Sequence, residues 1–109
     1  MITYSLTYEI DPAKVTEFGV YARVWVRHVE KLGGTHHGCW LPHEGSNDIA
    51  YWHFSFPSLA AYEDYRARMA GDPECRAAYA HAQQTGCIQR HVRSFTRPIL
   101  EGGTPEALA

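Results

Sequence analysis

The chain opens on a strict alternation: Ile2, Tyr4, Leu6, Tyr8 and Ile10 point one way, and Thr3, Ser5, Thr7 and Glu9 the other. A period of two predicts a strand with one face buried. The period then changes. Asp11-Pro12 offers a capping oxygen followed by a proline whose missing N–H costs nothing in the first turn of a helix. Val15, Phe18, Ala22, Trp25, Val29 and Leu32 recur at spacings of three and four, which places them on one helical stripe about five turns long. Gly33-Gly34 permits the left-handed turn that ends it.

Beyond the glycines, "THHGCWL" (35–41) and "DIAYWHFSF" (48–56) read as two strands joined by the turn-rich "PHEGSN". Pro57-Ser58 caps a helix that carries Leu59, Tyr62 and Met69 on one side. Gly71-Asp72-Pro73 closes that helix and starts another, which runs to about Thr85 and stops at Gly86. "CIQRHVRSFTR" (87–97) is rich in strand formers, and "EGGTPEALA" (101–109) reads as a loose tail behind a single domain over 1–100.

The order β-α-β-β-α-α-β predicts an α+β fold, a ferredoxin-like sandwich with helices on one face of the sheet. The third strand places Trp52, Phe54 and Phe56 on one face and Ile49, Tyr51 and His53 on the other. The second set is too bulky and apolar to face open water, so a second copy of the sheet is the expected cover and a homodimer the expected assembly.

Composition narrows the partners. At 109 residues there is room for one core, and a net charge of -2 without a basic patch argues against nucleic acid. No apolar run spans a membrane and "MITYSLTYEID" is not a signal peptide, so the expectation is a cytoplasmic protein without membrane contact. Three cysteines with no C-x-x-C pair predict reduced, mostly buried thiols rather than disulfides or a cysteine-based zinc site.

The residues "EGSN" (44–47), the helix start "FPSLAAYEDY" and "RARMAGDP", with Arg66 three before Met69 and six before Asp72-Pro73, resemble the NIPSNAP family of the dimeric α+β barrel superfamily. The resemblance covers about Met1 to Leu100. It implies a ferredoxin-like monomer and a barrel-forming dimer. The wider superfamily holds cofactor-independent monooxygenases, isomerases, haem-binding enzymes and proteins without an assigned role. Cys75 stands where the family often has an aromatic residue after Asp-Pro-x.

Four of the seven histidines fall between Gly33 and Phe54, and the hairpin register decides which of them meet. Pairing Leu41 with Asp48 sets His36 opposite His53 and Gly38 opposite Tyr51, and keeps Cys39 and Leu41 with the Trp52 face. A shift of one residue instead brings His37 and Cys39 to the face of Tyr51 and His53. In the better-fitting first register His36, His53 and Tyr51 are the candidate catalytic groups, able to hold a proton near neutral pH or to bond an oxygenated ligand. Trp25, Trp40, Asn47 and Arg66 are candidate ligand-binding residues. Asn47 also suits a turn, and Arg66 also suits a bond to Asp72 at the helix corner.

Arg90, Arg93 and Arg97 with His91 fit a solvated strand edge better than an anion site. No metal is expected, because no H-x-H, H-E-x-x-H or facial-triad spacing supplies a third ligand, and no cofactor is expected either. Two functions remain open. One is a small-molecule-binding protein or enzyme acting on an aromatic or carbonyl compound by acid–base or cofactor-free oxidative chemistry. The other is a non-catalytic dimeric module for ligand sensing or protein interaction.

Overall fold

Asp11 caps as its position suggests. Its carboxylate accepts the Ala13 N–H at 3.0 Å, and a 3₁₀ turn over Pro12–Lys14 leads into the first helix. A computed structural model describes residues 1–99, so the tail expected over 101–109 lies outside the described residues. The described elements are β1 (Ile2–Ile10), α1 (Val15–Lys31), β2 (Thr35–Trp40), β3 (Ile49–Phe56), α2 (Leu59–Gly71), α3 (Pro73–Thr85) and β4 (Ile88–Thr96). Ser58 accepts the Ala61 N–H to start α2, Asp72 caps α3, and Gly86 at φ 67° ends α3.

The four strands form one antiparallel sheet in the order β2-β3-β1-β4, which is the ferredoxin-like arrangement. Because β1 is central, its alternation is imposed on both neighbours. Leu6 faces Trp52 on one side and Arg93 on the other, and Tyr8 lies between Ala50 and His91. The resulting apolar face receives α1 and α2. Phe18 of α1 meets Tyr8 at 5.0 Å between ring centroids, Tyr62 of α2 meets Tyr4 at 5.0 Å, and Tyr65 meets Phe56 at 5.0 Å. The α3 helix packs outside α1, with Tyr79 against Trp25.

The buried face of α1 is wider than the expected stripe. Phe18, Trp25 and Val29 are buried as expected, but Val15, Ala22 and Leu32 are only half-buried, while Gly19, Tyr21 and His28 are buried. The reason is that α1 covers the sheet on one side and α3 on another. All three cysteines are free, with Cys75 and Cys87 buried and Cys39 partly so.

The hairpin departs from both expected registers. Thr35 pairs with Ser55 and His36 with Phe54, then a bulge at His37 shifts the ladder so that Gly38 pairs with His53, Cys39 with Trp52 and Trp40 with Tyr51. An extra residue reverses the facing of everything beyond it. His36 therefore shares the helix side with Phe54, and Cys39 is on that same side, while His37 turns to the face of Tyr51 and His53, as the shifted register expected. The expected opposition of His36 and His53 does not occur. Glycine at 38 makes the arrangement possible, since a Cβ there would come within 2.5 Å of the Trp40 indole.

Neighbours on β3 should consequently differ in stability cost. Trp52→Ala, which removes a buried ring packed on Phe54 at 4.7 Å, should destabilise by about 3–5 kcal/mol in urea unfolding. His53→Ala, which loses one hydrogen bond to Ser5 on the open face, should cost about 1 kcal/mol.

Candidate functional site

Alternation along β3 sends the expected site residues to opposite sides of the sheet. Tyr51 and His53 lie on the face without helices, where His53 Nδ1 bonds Ser5 Oγ at 3.0 Å and the Trp40 ring lies 5.6 Å from the His53 ring. His37 joins this face through the bulge, with Nε2 at 2.6 Å from Ser55 Oγ, which in turn bonds Thr3 Oγ1 at 2.7 Å. Ser55 is fully buried, and the hydrogen bonds of the described residues give His37 no carboxylate to orient it. The chain Thr3–Ser55–His37 thus ties three strands together rather than forming a nucleophile with its base.

His36 is on the other side, 6.3 Å from the Trp52 ring, and its buried Nε2 has no partner. Asn47 is exposed in the hairpin loop. Trp40 and Tyr51 border a shallow hollow with Leu41 and Pro42, separate from the groups below.

Between the sheet and the helices lies a cavity of about 280 Å³. Its floor is Tyr4, Leu6 and Tyr8 of β1 with Trp52 and Phe54 of β3. Tyr21 and Trp25 of α1, Tyr65 and Arg66 of α2 and Tyr79 of α3 form the roof, and His91 and Arg93 of β4 close one side. Two expected residues, Trp25 and Arg66, are therefore brought together here, without Trp40 or Tyr51. Arg66 is absent from the contacts of Asp72, whose Oδ1 instead accepts the N–H groups of Glu74 and Cys75 at 2.9 and 3.0 Å.

The last strand is the solvated edge its cations suggested, exposed from Gln89 to Thr96. Its parity splits the cations: Arg90 is on the open face beside Glu9 at 3.4 Å, while His91 and Arg93 face the cavity, because they pair with Tyr8 and Leu6. A period-two count from β1 through the antiparallel pairing would have found them.

The cavity is aromatic, cationic and short of acceptors. Arg93 donates to the Tyr4 hydroxyl at 3.4 Å, and that bond raises the arginine further above its usual range. Burial pushes the phenols of Tyr8, Tyr21 and Tyr65 well above the ordinary tyrosine value, so all three stay neutral donors at physiological pH. Two more donors, the indole N–H groups of Trp25 and Trp52, are buried with no hydrogen-bond partner. Such groups are rarely left unpaired in folded proteins.

Away from the cavity, His28, Asp72 and Cys75 converge where α1 meets the start of α3. Nothing in local spacing reveals this cluster, since its members come from positions 28, 72 and 75. Burial and the adjacent Asp72 carboxylate push the Cys75 thiol up to about 12.

The architecture is that of ferredoxin-like α+β proteins, in which helices cover one face of a four-stranded antiparallel sheet. The chain belongs to the NIPSNAP family, whose model matches residues 5–100. It is similar to an uncharacterised NIPSNAP domain protein from Burkholderia xenovorans, with 19% identity over 91% of this chain and 95% of that one, and a TM-score of 0.73. A NIPSNAP family protein of unknown function from Agrobacterium tumefaciens shares 17% identity over 90% of this chain and 87% of its own, with a TM-score of 0.75. A protein provisionally described as an antibiotic biosynthesis monooxygenase, from Nitrosomonas europaea, has the same fold at 6% identity, covering 92% and 100% with a TM-score of 0.71. No curated protein matches. No described helix is long and apolar enough to cross a membrane.

The buried phenols make the fold sensitive to alkali. The folded state holds Tyr8, Tyr21, Tyr62 and Tyr65 protonated past the ordinary tyrosine value of about 10, whereas the unfolded chain ionises them there. Their contribution is full below that pH and is lost as pH rises above it. Phenolate absorbance followed together with circular dichroism should show these tyrosines titrating only as the protein unfolds; independent titration in a folded protein would contradict the burial described.

Proposed function

We propose that this protein binds a small aromatic compound carrying an anionic oxygen, a carboxylate or phenolate, in the cavity between sheet and helices. The observation that carries this reading is the pairing of Arg66 and Arg93 with two buried, unpartnered indole N–H groups around one aromatic-lined space. Tyrosine and tryptophan rings suit the flat body of such a ligand and guanidinium groups suit its oxygens. Those features ask for an acceptor-rich, flat molecule, and the volume of about 280 Å³ limits its size.

His91, whose ring lies 6.1 Å from that of Tyr8, is the imidazole at this cavity and the group suited to take a proton from a ligand hydroxyl. Acid–base turnover would therefore use His91, and not the His36, His53 and Tyr51 group suggested by the hairpin pattern. The fold is also that of the Nitrosomonas protein described as a monooxygenase, and cofactor-free oxidation of a bound phenol, with dioxygen as the co-substrate that takes up the electrons, is the second chemistry proposed for the cavity.

The second element of the proposal is a homodimer joined through the open sheet face. Trp40, Tyr51 and Val92 are 50%, 48% and 49% exposed on that face, which no helix of the chain covers. A standard interface removes at least about 1,200 Å² from water, and a sheet face can supply it.

Binding is tested with 4-hydroxybenzoate and its uncharged methyl ester, read by the fluorescence of Trp25 and Trp52. The acid should quench saturably, and the ester should bind about tenfold more weakly or worse, as should the acid to Arg66→Ala and Arg93→Ala. Equal binding of acid and ester would remove the anion-site reading, and no saturable quenching by either would remove the ligand itself. Sedimentation should give about twice the 12.3 kDa chain mass, reduced to one chain in Tyr51→Asp. A wild-type monomer at micromolar concentration would refute the dimer.

A further inference from the structure

His28 is 6% exposed, and its Nε2 is buried without a hydrogen-bond partner. That atom faces two carboxylates, Asp72 Oδ1 at 3.7 Å and Glu74 Oε1 at 3.8 Å, and the donor atoms of His28, Asp72 and Cys75 all lie within 4.8 Å of one another. A gap of 3.7 Å is too long for a hydrogen bond. It is within the separation of about 3.3–3.8 Å between two ligands of one tetrahedral ion bound at about 2.0–2.3 Å. We propose that His28, Asp72 and Cys75, with Glu74 beside them, bind one divalent transition-metal ion of the zinc class and so tie α1 to the start of α3.

The local sequence suits that role. Asp72 and Cys75 are separated by three residues across a helix start, which sets them on one side of α3, and both N–H bonds to Asp72 Oδ1 hold its carboxylate in place. Those two bonds fill the lone pairs of Oδ1 and fix the carboxylate, so that Oδ2 is the oxygen open to an ion. Imidazole, thiolate and carboxylate together select a borderline ion over calcium or magnesium, which take oxygen alone.

The positive end of the α3 dipole opposes a cation with about half a unit of charge, but two carboxylates and a thiolate outweigh it. Arg27 pairs with Glu74 on the outer side, which leaves Glu74 a fourth ligand only where that pair opens, and water completes the set otherwise. As sulfur binds the metal, the thiol proton passes to solvent. None of these residues lines the aromatic cavity, so the site is independent of the ligand reading above.

The test is cobalt titration of the untagged, metal-stripped full chain, because Co²⁺ reports thiolate ligation by a charge-transfer band in the near ultraviolet. One equivalent per chain should produce the band, zinc should abolish it, and zinc should raise the melting temperature. Cys75→Ser should lose the band, whereas Cys39→Ser should keep it. Asp72→Asn retains a good helix cap and should weaken zinc binding by about tenfold or more. Absence of stoichiometric uptake in the wild-type protein would overturn the proposal with no variant needed, and a band that survives Cys75→Ser would place the metal elsewhere.

Discussion

Everything in this molecule depends on the central position of β1. A strand flanked on both sides imposes its own alternation on the whole sheet, so the single stripe Tyr4, Leu6, Tyr8 and Ile10 decides which half of every neighbouring strand turns toward the helices. The rings on that stripe are large, and the helices can meet them only through other rings. Phe18, Tyr62 and Tyr65 do so at centroid distances near 5 Å. Burial of such surfaces is the main force holding a domain of this size together.

An aromatic core of this kind has a chemical consequence. Phenol and indole groups carry donors into the interior, and a core built of hydrocarbon side chains would have none. Where the rings do not fill the space between sheet and helices, the opening is lined with hydroxyl and N–H groups, and the edge strand brings two charged or basic groups, His91 and Arg93, to its side. The stabilising layer and the candidate binding site are the same residues. That overlap explains why the site was hard to separate from the core by sequence pattern, since both present the same aromatic stripe.

The two sides of the sheet answer different needs. On the helix side, polar groups are few, and Arg66, His91 and Arg93 among them line the cavity. On the open side, hydroxyl groups and imidazoles link strand to strand: Thr3 with Ser55, Ser55 with His37, and Ser5 with His53. Trp40, Tyr51 and Val92 stand exposed among them.

Element order, the caps at Asp11, Ser58 and Asp72, and the faces of β1 and β3 were legible in the chain, because each follows from a spacing of two, three or four residues or from the geometry of one side chain. The ferredoxin-like fold and the family likeness followed from the same local signals. The separation of His36, paired with Phe54, from His53, paired with Gly38, was not legible. A bulge at His37 adds one residue to one strand, and no period along the chain marks it, since the ladder is fixed only by what β3 sets opposite each residue. Nor was the meeting of Trp25 and Arg66 with His91 and Arg93, or of His28 with Asp72 and Cys75. Those residues lie on elements far apart in the chain, and only the stacking of helices on the sheet sets the distance between them. Local sequence determines the direction in which a side chain points along its own element; the tertiary structure decides what stands opposite.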